Sequence, residues 1–214
     1  MSVAGETLPD HFPVFPLRGA LLLPGGNLPL RIFEPRYLVM VRDAMRTAEV
    51  IGMVQPRPHE EREEMPELYR TGCLGRITRL EEQEDGRYAI TLTGMCRFDV
   101  LEELPTTTPY RQVRADFARW RHDLAPAEPL DGVRARLMPR LRTYLETLGI
   151  EARWSGLEAA PLPALITTLA MVLPFAPDEK QAFLEARGLA DQAELLITLL
   201  EMALAGQPGD GPPH

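Results

Sequence analysis

Apolar and polar positions change their spacing along the chain, and each change marks an element or a boundary. From Phe15 to Tyr37 the apolar residues are interrupted by Pro16, Pro24, Pro29 and Pro35 and by Gly19, Gly25 and Gly26. That punctuation excludes one helix, and the apolarity excludes a solvated loop. The stretch therefore reads as a buried, bent, mostly extended path around which the rest of the chain is organised. It ends on a helix start, because Pro35 suits the first helical position, where no donor is needed and φ is already helical. Tyr37, Val41, Ala44, Met45 and Ala48 then form one stripe, predicting a helix over about residues 34–48.

A weakly alternating strand His11–Leu17 precedes that path, and Val50–Val54 reads as a short buried strand after the helix. Residues 55–67 are charged and aperiodic, an exposed loop. Between Tyr69 and Trp120 the period becomes two: Tyr88, Ile90 and Leu92, then Cys96, Phe98 and Val100, then Val113, Ala115 and Phe117 alternate with polar or small neighbours. Asp85-Gly86 supplies a hairpin turn, so the middle of the chain is an antiparallel meander with one face in and one out. The prolines of His122–Pro129 mark a boundary. Beyond it the period is 3.6. Val133, Leu137, Leu141, Tyr144 and Leu145 form a stripe capped at Gly149, with Pro139 expected to kink or divide it. Further helices are expected over Pro163–Leu173, Asp178–Arg187 and Ala190–Ala205.

The 214 residues are 45% hydrophobic and 25% charged, a globular balance. A net charge of -8 disfavours a nonspecific grip on nucleic acid, which needs clustered cations. The start carries no basic leader or apolar core, and the most apolar runs fall short of the roughly 20 residues that cross a bilayer, so a cytoplasmic location without membrane is expected. Cys73 and Cys96 fit a reducing compartment as buried free thiols.

Several runs carry a family resemblance. Phe15-Pro16-Leu17-Arg18, Leu23-Pro24-Gly25 and Pro29-Leu30-Arg31-Ile32-Phe33-Glu34-Pro35-Arg36-Tyr37 resemble the opening of the Lon protease N-terminal (substrate-binding) domain family. Leu68–Ile77, Asp85–Tyr88, Thr93–Phe98 and Pro109-Tyr110 continue it in the family's order, and Leu173-Pro174-Phe175 with Glu179–Glu185 is similar to its helical part. The resemblance implies an α+β fold: a β-rich, PUA-like pseudo-barrel with one helix over residues 1–121, an all-α subdomain over 122–205, and a disordered tail over 206–214. It also implies a stand-alone, bacterial-type substrate-reading module, since nothing matches the family's ATPase or Ser–Lys peptidase domains.

Candidate chemistry is sparse. Ser155 lacks the small-residue elbow that exposes a nucleophile, and there is no phosphate-binding glycine loop. Nothing fixes a histidine beside Cys73 or Cys96. His59 among glutamates matches no zinc spacing. The chain is therefore read as non-catalytic, with no cofactor and no metal. What remains is binding of unfolded or apolar polypeptide by edge pairing and side-chain pockets, as an adaptor for a protease or chaperone. Leu21, Leu23, Phe33 and Tyr37 are the candidate walls, with Arg18 and Arg36 as polar anchors. The opposing reading makes Phe33 and Tyr37 core. Arg111, Arg114, Arg119 and Arg121, interleaved with Phe117 and Trp120, form a basic and aromatic patch that would serve a small-ligand or RNA-binding alternative.

Overall fold

The computed structural model describes residues 8–58 and 65–206. The lead-in, the run around His59 and the tail after Gly206 lie outside the described residues.

The strands are β1 (His11–Pro16), β2 (Asn27–Ile32), β3 (Val50–Val54), β4 (Thr71–Glu82), β5 (Tyr88–Glu103) and β6 (Gln112–Asp116). They form one sheet of order β2-β5-β4-β3-β1-β6, and β6 returns to pair with β5. Closure depends on the length of β5. Along one edge β5 meets β4, while its other edge takes β2 over Tyr88–Thr93 and β6 over Asp99–Glu103. Only β1 and β3 run parallel. The β4–β5 hairpin turns at Asp85-Gly86, where Gly86 takes φ +76° and the Asp85 carboxylate accepts from the Arg87 N–H at 3.1 Å.

Alternate residues divide two cores. Phe12, Val14, Val50, Val54, Leu74, Cys96, Phe98, Val113 and Trp120 pack together inside the barrel. Ile51, Met53, Cys73, Ile90 and Leu92 belong to a second cluster. This one takes in Leu21, Leu22 and Leu23, helix α1 (Pro35–Met45), and the helices after residue 130: α2 (Val133–Thr147), α3 (Trp154–Ala159), α4 (Leu162–Val172), α5 (Pro177–Glu185) and α6 (Leu189–Ala205).

The stretch from Phe15 to Tyr37 lies between these layers. Leu23-Pro24-Gly25-Gly26 is a turn closed by the Gly26 N–H on the Leu23 carbonyl at 2.9 Å, with Gly25 at φ +76° after a proline, as a type II turn requires. Its backbone is bonded to β5 through Gly25 N–H to Gly94 O (2.9 Å) and Gly94 N–H to Gly26 O (2.8 Å). On the far side Gly26 faces Thr167 and Met171 of α4. The sheet and the helices thus pack on opposite sides of one extended segment.

Helix α2 runs through Pro139 without being divided. Pro139 lacks the N–H that would bond the Ala135 carbonyl. The Arg140 guanidinium donates to the next carbonyl, of Arg136, at 2.7 Å, which helps hold the exposed turn. The helix ends as the glycine implies: the N–H groups of Gly149 and Ile150 donate to Glu146 and Leu145, with Gly149 at φ +66°. A polar seam seats α5 on the barrel. Gln55 accepts from the Gly19 N–H at 2.9 Å and donates to Pro177 O and Gln181 Oε1, while Lys180 donates to Gly19 O at 2.8 Å. No helix among the described residues is long and apolar enough to cross a membrane.

Candidate functional site

In the middle of β5 the alternation of wet and dry faces stops. Residues Met95–Asp99 are buried on both sides, and among them is Arg97. Its Nε and Nη2 donate to Asp123 Oδ2 and Oδ1 at 2.9 and 2.6 Å, and its side chain is 2% exposed against 6% for Asp123. Its Nη1 donates to the carbonyls of Leu184 (3.1 Å) and Ala186, just past the end of α5, where a helix favours positive charge. Nη2 also lies 3.0 Å from His122 Nε2, and the guanidinium stacks 4.1 Å from the centre of the Trp120 ring. Trp120, His122 and Asp123 all come from the 3₁₀ helix Ala118–Leu124. One arginine therefore joins the barrel, the linker and the helices, with all of its donors engaged.

Arg97 and Asp123 form the floor of a cleft of about 530 Å³. This is the size range of small-ligand sites. Its apolar walls are Pro24, Ala125, Pro126, Leu130, Pro163 and Leu189, and its rim carries His122, Glu128, Arg187 and Asp191. Thr167 of α4 and Gln192 of α6 complete the lining. The first turn of α6 also opens here. Gly188 offers no side-chain cap, and the first intrahelical bond runs from Gln192 N–H to Gly188 O at 3.0 Å, so the N–H groups of Leu189, Ala190 and Asp191 lie ahead of it.

The residues singled out from sequence do not converge. Leu21 and Leu23 are 1% and 0% exposed, and Tyr37, at 6%, stacks on Phe15 with ring centres 4.2 Å apart. These three form part of the second core. Phe33 is 62% exposed at the β2–α1 junction, and Arg36 beside it pairs with Glu34 at 2.8 Å and covers the Tyr37 ring. Arg18 is exposed in the loop after β1. In the basic and aromatic patch, Arg111 and Arg114 pair with Glu103 and Glu102, Trp120 is fully buried, and Phe117 packs against Phe12 and Phe98. Burial pushes the Cys73 thiol well up and that of Cys96 up to about 12. A thiol so placed is a poor nucleophile. Arg97, Asp123, Thr167 and Gln192 escaped sequence reading. No sign marked Arg97, which alternates with Cys96 and Phe98 as an outward-facing residue would.

The closed barrel joins a helical layer, with a lined cleft at the join. The family model for the ATP-dependent protease La (LON) substrate-binding domain matches residues 11–202, and the chain belongs to that family, whose role is substrate recognition. Lon protease 2 of Myxococcus xanthus is 30% identical over 201 residues, covering 91% of this chain and 24% of that protein. The chain thus spans about a quarter of the length of that relative. Two solved structures share the fold. The Lon N-terminal domain protein from Xanthomonas campestris aligns with TM-score 0.57 at 24% identity, over 92% of this chain and 99% of its own. The N-terminal domain of Mycobacterium avium complex Lon protease aligns with TM-score 0.61 at 16% identity, over 89% and 98%.

Proposed function

We propose that the chain recognises exposed apolar segments of unfolded polypeptide without catalysis and presents them, as a cytoplasmic quality-control adaptor, to a protease or chaperone partner. The observation that carries this reading is the cleft. It lies between the barrel and the helices, its walls are apolar, and its floor is held rigid by Arg97 and Asp123. A preformed concave surface of that kind binds without a large ordering cost on the protein's side. The substrate-binding family to which the chain belongs supports the choice of a polypeptide ligand over RNA, as does the pairing of Arg111 and Arg114 with glutamates.

The test is direct binding of unstructured peptides to the wild-type chain and to Ala127→Trp and Ala190→Trp. Both alanines are exposed on the cleft lining, so a bulky residue fills the cleft without entering the core. Binding of apolar peptides, lost in both variants and kept in Phe33→Ala, supports the reading. Binding that depends on Phe33 and ignores the cleft moves the site to the β2–α1 junction. Failure of every peptide to bind ends the polypeptide reading.

A further inference from the structure

Thr167 and Gln192 are 7% and 4% exposed, and both line the cleft. The Gln192 amide nitrogen donates to Phe183 O at 3.0 Å, which leaves Oε1 as its remaining polar atom. Neither Gln192 Oε1 nor the Thr167 hydroxyl has a hydrogen-bond partner among the described residues. Neither atom is sealed from solvent, since no fully buried side-chain oxygen or nitrogen lacks a partner. Both oxygens therefore touch solvent, and both residues line the cleft. A polar atom that touches solvent inside a lined cleft is one that a ligand can bond in place of water.

Beside them stand the N–H groups of Leu189, Ala190 and Asp191 in the first turn of α6, donors with no partner among the described residues. The cleft thus offers acceptors and donors together with proline, alanine and leucine surface. Its charges do not select a charged ligand. Arg97 and Asp123 satisfy each other, and the rim sets Arg187 against Glu128 and Asp191.

Resting on the polypeptide reading above, we infer that the cleft reads the main chain of a short, uncharged, extended peptide. A peptide N–H donates to Gln192 Oε1 or Thr167 Oγ1, and a peptide carbonyl accepts from the N–H groups of Leu189 and Ala190. An apolar side chain of the peptide rests against Pro24, Pro163 and Leu189. Recognition of this kind tolerates many sequences, because every residue but proline supplies the same donor and acceptor. Specificity then comes from what the walls exclude: charge and large bulk.

The experiment is calorimetric titration with an acetylated, amidated apolar pentapeptide, the same peptide N-methylated along its backbone, and its free-acid form. The proteins are wild type, Thr167→Val and Gln192→Met, each first shown to melt cooperatively. Both substitutions keep volume and remove the free oxygen, and Gln192→Met also removes the donor to Phe183 O, a loss that the melting control reads. Wild type should bind the amidated peptide, with affinity falling about tenfold for the N-methylated peptide and for each variant. If wild type binds the peptide and neither N-methylation nor either variant weakens it, the peptide reading stands and the main-chain site is wrong. If only the free acid binds, the α6 terminus is holding a carboxylate and the uncharged ligand is wrong. If no form binds wild type, both readings fall together.

Discussion

Arg97 holds Asp123 through two parallel hydrogen bonds of 2.9 and 2.6 Å, one member on a barrel strand and the other on the linker to the helices. Planar, bidentate pairing fixes orientation as well as distance. Arg97→Met should cost about 3–5 kcal/mol, because it strands a buried carboxylate along with the Leu184 and Ala186 carbonyls. The double variant Arg97→Met with Asp123→Leu should recover much of that loss, since it removes both charges. Arg97→Lys should not, because an ammonium lacks the fork that reaches carboxylate and carbonyls together. Denaturant unfolding of the set decides: an Arg97→Met cost below about 1 kcal/mol would show that the pair is not desolvated as described.

Two glycines beside the central segment should respond differently to a methyl group. At Gly94 a Cβ would sit 2.0 Å from the Leu23 carbonyl oxygen and 3.2 Å from the Pro24 nitrogen, both backbone. At Gly26 the tightest clash, 2.3 Å, is with the sulfur of Met171, the far part of a flexible side chain, while Leu23 O and Thr167 Cγ2 lie at 3.1 Å. Gly94→Ala should therefore cost about 3 kcal/mol or more and Gly26→Ala about 1 kcal/mol. In a chain of this size the two melting points should separate by roughly 4–8 °C. Equal melting points would mean that the segment can shift away from β5.

Alkaline pH should destabilise the fold before acid chemistry matters to these groups. Burial, then the hydrogen bond to the Asp43 carboxylate, pushes the Tyr110 phenol up from 10.0 to about 12. Burial pushes the Cys96 thiol up from 9.0 to about 12, and the Cys73 thiol rises from the same cause. Each group loses its proton first in the unfolded chain, so the folded state binds more protons and stability falls as pH rises. Stability from these groups is complete below pH 9 and is lost between about pH 9 and 12. Melting points from pH 8 to 11 check this, and Cys96→Ala should flatten the decline. A melting point that holds steady or rises over that range contradicts it. Neither thiol should react with a disulfide reagent at pH 8 until the chain unfolds.

The elements that could be read from the chain are those whose pattern is local. The Asp85-Gly86 hairpin, the alternation of Tyr88, Ile90 and Leu92, and the Gly149 cap all appear where spacing put them. The path from Phe15 to Tyr37 is partly extended but buried only in part, at Phe15, Leu21–Leu23, Gly26, Ile32 and Tyr37, while Arg18, Pro29, Arg31 and Phe33 are exposed, and its strand β2 was hidden by Pro29. Proline is tolerated there because β2 is an edge strand and its missing N–H points away from β5. The site was illegible for a different reason. Alternation assumes one wet face, and at Arg97 both faces are covered, one by the barrel core and one by the helices. Thr167 and Gln192 meet Pro24 only after the chain has crossed the whole fold. Leu21, Leu23 and Tyr37 were offered as cleft walls because an apolar segment without period shows burial but not what buries it.

Barrel closure also sets the order in which the molecule can be made. β1 pairs on one side with β3, at Val14 and Gly52, and on the other with β6, at His11 and Arg114. The first strand of the chain therefore keeps an open edge through synthesis until the sixth has left the ribosome. Pairings so distant in sequence close slowly, on the scale of milliseconds to seconds, because loop entropy is spent before any contact repays it. A nascent chain arrested before Gln112 should expose β1 as a free edge, the kind of surface that chaperones and other unfolded strands engage.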